Sequence, residues 1–153
     1  MIQRKQSLWL LIAALLNSGV FYFDLYRYNT SSHRMLLDKD ILVNTSEQIR
    51  VANHFPTLLI ALVMTLLPLV TIFMFRKRKQ QVAMTFVSIL SVLSFISLVL
   101  KRVADIPKAP AGPINESYWI GAVLPVAAMV FLVLAMIGIR KDEKLVKSVD
   151  RLR

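Results

Sequence analysis

The chain has 153 residues, 56% of them hydrophobic, a formal net charge of +10 and no cysteine, with a mean hydropathy of +0.59. That apolar share lies above the range of soluble domains, and the missing thiol removes disulfides, thiolate nucleophiles, cysteine zinc sites and thiol-linked quinone oxidation. In a soluble protein such a charge would point to nucleic acid, but here the cations flank long apolar runs and the membrane sorts them.

Arg4 and Lys5 precede the apolar run Ser7 to Phe23. The pattern fits an anchoring span better than a cleaved signal, because the run is long and no small-x-small cleavage site follows it. The predicted helix continues through Asp24 to Tyr28, with Asp24 and Arg27 reaching water beside an interfacial belt of Tyr22, Tyr26 and Tyr28. Asn17, next to Ser18 and Gly19, is expected to hydrogen-bond to a neighbouring helix. Asp24 to His54 is the longest polar stretch, and its apolar pairs around Asp38-Lys39-Asp40 fit a small hairpin or a helix pair on the membrane surface. Thr45 with Gln48 offers a capping box for a helical lead into the second span.

Phe55 to Phe75 and Val82 to Leu100 are uncharged runs of 21 and 19 residues, each about long enough to cross a ~30 Å hydrocarbon layer. They are joined by Arg76, Lys77, Arg78 and Lys79, a cationic turn that stays in the cytoplasm and engages lipid headgroups. Pro68 should kink the second span and leave a carbonyl for a neighbour to satisfy. In the third span Ser88, Ser91, Ser94 and Ser97 look like a polar stripe. At about 100° per residue Ser97 lies opposite Ser88, so local bonds to carbonyls one turn back are expected instead. Pro107, Pro110 and Pro113 stiffen a second outer loop, Lys101 to Ser117.

Tyr118 to Ile139 forms the fourth span. Gly121, Ala128 and Ala135 recur every seven residues with Pro125 alongside, a small face for helix packing. Arg140 to Arg153 is a charged tail in which Leu145, Val149 and Leu152 share a helical face. Together with Arg151, they are the expected partner-docking residues.

The predicted architecture is therefore all-α and a single membrane domain, with four transmembrane helices near 7–28, 55–75, 82–100 and 118–139. Outer loops cover 29–54 and 101–117, and a short amphipathic C-terminal helix lies in the tail 140–153. With the cationic turn inside, both termini are cytoplasmic. Lys and Arg then number 12 among 26 inner residues and 7 among 48 outer ones, as the positive-inside rule requires. Lys101 and Arg102, at the outer end of the third span, run against it locally.

The chain contains no Gly-x-Ser-x-Gly, His-Glu-x-x-His or glycine-rich phosphate loop, and the apolar runs 7–23, 55–75, 82–100 and 118–139 hold no Asp, Glu, Lys, Arg or His of the kind that carriers and sensors use. His54, beside Asn53, is the one polar candidate at the membrane boundary, and no catalytic, cofactor-binding or metal-binding residue is expected.

Met1-Ile2-Gln3-Arg4-Lys5-Gln6-Ser7, Ile120-Gly121-Ala122-Val123-Leu124-Pro125 and the tail Gly138-Ile139-Arg140-Lys141-Asp142-Glu143-Lys144-Leu145-Val146-Lys147-Ser148-Val149-Asp150-Arg151-Leu152-Arg153 resemble an uncharacterised family of small four-span membrane proteins of Bacteroidota, classed as a domain of unknown function. The resemblance covers the full length, with departures at Lys5 and in the long outer loop. It implies four helices in a bacterial inner membrane and brings no activity with it. The expected function is that of a non-enzymatic accessory or interaction subunit of a membrane complex, with an oligomeric pore or small-solute carrier as the alternative. The expected partners are membrane lipids and either other membrane proteins or further copies of this chain, not nucleic acid.

Overall fold

The computed structural model describes residues 3–36, 39–74, 78–105 and 116–150. Four helices, α1 (Gln3–Ser18), α2 (Phe55–Phe73), α3 (Arg78–Ala104) and α4 (Ile120–Asp150), pack as a ring in which each touches its neighbours in the chain and α4 closes against α1. This is an up-and-down four-helix bundle. Helices α2, α3 and α4 are long and apolar enough to cross a membrane. Helix α1 is shorter, 16 residues opening on Gln3, Arg4, Lys5 and Gln6, and continues as a short 3-10 turn, Gly19–Phe21.

The buried positions recur in steps of three and four on every helix: Gln6, Leu10, Ala13 and Asn17 on α1; Thr57, Ala61, Met64, Pro68 and Thr71 on α2; Thr85, Ser88, Val92 and Phe95 on α3; Ala128, Leu132, Ala135 and Ile139 on α4. That spacing is the seam of left-handed, coiled-coil-like packing. Large apolar side chains such as Leu66, Phe86, Val126 and Val130 point outward instead. The arrangement suits a hydrocarbon solvent, where small and polar residues mark the interior and association rests on close packing and interhelical bonds.

Pro68 and Asn17 form one such bond. Pro68 has no N–H for the carbonyl of Met64 four residues back, and the fully buried Asn17 donates from Nδ2 to that oxygen at 2.9 Å. Asn17 Oδ1 has no hydrogen-bond partner among the described atoms, which offsets part of the gain. Asn17→Leu should therefore destabilise the bundle by only about 1 kcal/mol. In a Pro68→Ala background, where residue 68 can serve the Met64 carbonyl itself, the same change should cost nothing. Unfolding by denaturing detergent across this double-mutant cycle checks the coupling.

The serines of α3 behave as their angles require. Ser88 is buried and donates to Met84 O, Ser91 to Ser88 O and Ser94 to Leu90 O, while Ser97 lies on the exposed side.

The all-α expectation needs correction at the α1-exit end, where a three-stranded antiparallel sheet sits. Strands β1 (Tyr26–Leu36) and β2 (Lys39–Ile49) form a hairpin in register Tyr26↔Ile49 to Leu36↔Lys39, and β3 (Glu116–Tyr118) adds to the other edge of β1. The first span does not continue as helix to Tyr28: Tyr26 and Tyr28 are strand residues, and the chain turns at Asp24. Thr45 to Gln48 is likewise strand, because its backbone groups are taken by the ladder with β1 rather than by a helical cap. Tyr118 belongs to β3, so α4 opens at Ile120. The tail is no separate helix. Without a Gly or Pro after Gly138, α4 runs unbroken to Asp150. Pro107, Pro110 and Pro113 lie outside the described residues.

Candidate functional site

The most elaborate polar arrangement is a hub at residues 23–27, where the exit of α1, the end of β2 and the start of α4 meet. Leu25 N–H donates to Ile49 O at 2.9 Å, Trp119 N–H to Leu25 O at 3.1 Å and Gly121 N–H to Asp24 O at 3.2 Å. The Asp24 side chain is 4% exposed. Its Oδ2 takes Arg27 Nε at 2.8 Å and Nη2 at 2.6 Å, and its Oδ1 takes Arg50 Nε at 2.5 Å. The expectation that Asp24 reaches water is thus corrected: twin guanidinium partners replace its hydration.

The surroundings tighten the hub. Arg27 stacks 4.1 Å above the Trp119 ring, and Arg50 Nη2 donates to Gln48 at 2.9 Å. Arg102, which ran against the positive-inside pattern, donates to Arg50 O at 3.2 Å. Tyr26, 2% exposed, meets the Tyr118 ring edge-on at 5.2 Å, a pair worth about 1 kcal/mol beyond its burial. Tyr28 donates to Glu47 at 2.5 Å; that bond, with burial, pushes its pKa up to about 12.

Burial acts to raise the pKa of Asp24, but the hydrogen bonds and charges of Arg27 and Arg50 prevail and hold it below its ordinary 3.8. A depressed acid stabilises the fold fully above the unfolded-state value and loses that contribution as pH falls through the folded one. Thermal stability should therefore fall as the pH drops below about 4, and an Asp24→Asn variant should show a shallower decline.

Gly121 is fixed by this hub. A Cβ there would lie 2.6 Å from Asp24 O and 2.9 Å from Phe23 O, both backbone atoms. Of the residues on the small face, Gly121 therefore meets the α1 exit, while Ala128 and Ala135, both 0% exposed, face the bundle core and Pro125 is buried between them and Gly121. His54 is paired at 2.8 Å with the wholly buried Thr57 at the start of α2.

At the opposite end, Gln6 donates to the Asp142 carboxylate at 2.5 Å and Arg78 Nη1 donates to Asp142 O at 3.0 Å. This ties the start of α1 and the start of α3 to α4. Of the cationic turn, Arg78 and Lys79 open α3 and Lys79 is exposed; Arg76 and Lys77 lie outside the described residues. Leu145 is 56% exposed. Val149 lies within α4 without a described side chain, and Arg151 and Leu152 lie beyond the described residues.

Chemically, the hub is a brace: its one carboxylate is occupied by two guanidiniums. Among the described residues no cluster of His, Asp or Glu could hold a metal ion. The hub was missed in the sequence because Asp24 and Arg50 are 26 residues apart with no shared motif; only the Asp24 and Arg27 spacing hinted at it.

No curated protein matches the chain. The profile of a family described as a domain of unknown function, DUF4293, matches residues 2–152, and the chain belongs to that family.

Proposed function

We propose that this is a non-enzymatic integral membrane protein of the bacterial inner membrane, an accessory or interaction subunit that presents the β1–β2 hairpin to a partner outside the cytoplasm. In this reading α1 with its 3-10 turn is the fourth span and both termini are cytoplasmic. The arginine-rich 76–79 turn supports that orientation. So does the placement of the sheet at the end remote from that turn.

The observation that carries the reading is the brace at Asp24. It joins the hairpin base to α4 through buried ionic and backbone bonds, which a loop merely connecting two spans has no need of. The bundle axis itself is filled by Leu10, Met64, Phe95 and Leu132, each at most 1% exposed, which favours a scaffold over a pore within one chain.

Replacing residues 29–46 by a short Asn-Gly turn leaves Asp24, Arg27 and Arg50 in place. The shortened protein should insert and unfold like the parent yet lose the partners that co-purify from native membranes in mild detergent. Retention of every partner, or ion or solute conduction by a homogeneous oligomer in liposomes, would overturn the proposal.

A further inference from the structure

Strand β2 (Lys39–Ile49) is the outer strand in the sheet order β2-β1-β3, so one of its edges meets no strand among the described residues. Its ladder with β1 keeps one register from Tyr26↔Ile49 to Leu36↔Lys39, which leaves no bulge, and it contains no proline. Bulges and prolines are the usual means of blunting an edge. The free edge of β2 therefore offers an unbroken row of backbone N–H and C=O groups, for which another strand is the matching partner.

Charge selects a second copy of this chain as that strand. Along β2 the backbone groups of alternate residues point to β1 and to the free edge, so two such edges pair antiparallel only with residues of like parity opposite each other, about a two-fold axis through a residue. The charged residues of β2 are Lys39, Asp40 and Glu47. An axis at Val43 sets Lys39 opposite Glu47 of the second copy, and Glu47 opposite its Lys39, with Asp40 opposite Ser46. With the axis at Leu42 or Asn44, Lys39 meets Thr45 or Ile49 and no charge is matched. Unlike charges directly opposite stabilise a ladder, and Glu47 is exposed.

The lie of the sheet agrees. In one membrane a two-fold axis runs along the membrane normal, and the axis of an antiparallel strand pair stands perpendicular to its sheet. Tyr26, Tyr28 and Ile49 share one face of the sheet and pack against the core cluster that continues into the bundle. Arg27 and Gln48, on the other face, are half-exposed and exposed. The base of the sheet thus lies across the bundle end, with its normal along the bundle axis.

We infer that two copies join through their β2 edges in an antiparallel ladder centred on Val43, so that their three-stranded sheets become one. This names the partner of the hairpin and rests on the membrane-spanning reading above.

The chain has no cysteine, so cross-linking reads the axis. Residues opposite in an antiparallel ladder lie about 4.5 to 5.5 Å apart between Cα atoms, within disulfide reach, whereas residues more than about 7 Å apart are not. Full-length Val43→Cys protein in native membranes is oxidised and resolved without reductant. Resistance to carbonate extraction establishes insertion first, so failure to insert indicts the membrane reading and not the edge. In inserted protein, Val43→Cys should give a disulfide-linked dimer. Leu42→Cys and Asn44→Cys should each fail to do so alone and should cross-link when co-expressed. Lys39→Glu, which sets like charges opposite at both ends, should weaken self-association in mild detergent about tenfold. Lys39→Glu/Glu47→Lys, which exchanges the signs of both pairs, should recover it. Equal cross-linking at all three cysteine positions would mark chance collision and overturn the ladder. Inserted Val43→Cys protein that stays uncross-linked, or that links to a different protein, would overturn it as well.

Discussion

An Arg27→Ala/Arg50→Ala variant is expected to lose about 3 to 5 kcal/mol of stability, the cost of leaving a buried charge without its partners. The size follows from an asymmetry within the hub. Asp24 is 4% exposed, whereas the two arginine side chains are 42% and 59% exposed. Asp24→Asn should therefore cost less, because the guanidiniums it abandons already reach water. The pH response distinguishes the cases. In the parent, Asp24 is held below its ordinary value and acidification destabilises the fold. In the double variant only burial remains, which raises the folded-state pKa above the unfolded one, so stability is greatest at low pH and falls as pH rises through that raised value. Thermal unfolding in detergent, followed from about pH 7 down to below about pH 4, reads the reversal. A double variant that keeps the parent's stability and pH profile would show that Asp24 is not a brace.

The second large effect is expected at Gly121. Any side chain there meets the Phe23 and Asp24 carbonyl oxygens, which cannot rotate aside as a side chain could. Gly121→Ala should cost about 1 to 3 kcal/mol, and Gly121→Val more, because its branched methyl groups also crowd the first turn of α4. By contrast, a Cβ at Gly19 meets the Leu124 Cδ1 methyl at 2.6 Å, the end of a flexible side chain that can move. Gly19→Ala should therefore be milder than Gly121→Ala. Equal losses at the two glycines in equilibrium unfolding would contradict the close backbone approach.

The three helices long and apolar enough to cross a membrane, α2, α3 and α4, were legible in the sequence because each is built on a continuous apolar run that needs no periodicity to be seen. For the same reason the interior face was not legible from hydropathy: in hydrocarbon both faces of a helix are apolar, and only small or polar side chains mark the inside. The seven-residue recurrence of Gly121, Ala128 and Ala135 carried that signal on α4. On the other helices it is carried by the buried Gln6, Asn17, Thr57, Thr71, Thr85 and Ser88, whose common face hydropathy alone does not reveal. Pro68 announced a free carbonyl, and Asn17 announced an interhelical bond; the structure shows that these are two ends of a single contact.

Of the sheet, only the hairpin was legible, as one of two readings open for residues 24–54, and β3 was not. Its β1 strand, Tyr-Arg-Tyr-Asn-Thr-Ser-Ser-His-Arg-Met-Leu, keeps an aromatic alternation only at Tyr26 and Tyr28, and its pairing partners lie up to 23 residues away in β2 and 92 in β3. The interfacial tyrosines were equally compatible with a helix end. Asp24 settles the matter physically: a helix through Tyr28 would carry Arg27 and Asp24 outward, whereas a turn at Asp24 lets Arg50 close on it from β2.

The central claim is that α1 crosses the membrane as a fourth helix, putting both ends of the chain on one side and the hairpin on the other. The chain has no cysteine of its own, so single substitutions Gln3→Cys, Ser31→Cys and Ser148→Cys can be tested in intact cells with an outer membrane made permeable, using a maleimide that does not cross the inner membrane. The account predicts labelling at Ser31→Cys alone, with Gln3→Cys and Ser148→Cys labelled only after lysis. Labelling of Gln3→Cys in intact cells while Ser148→Cys stays protected would leave three spans and contradict it.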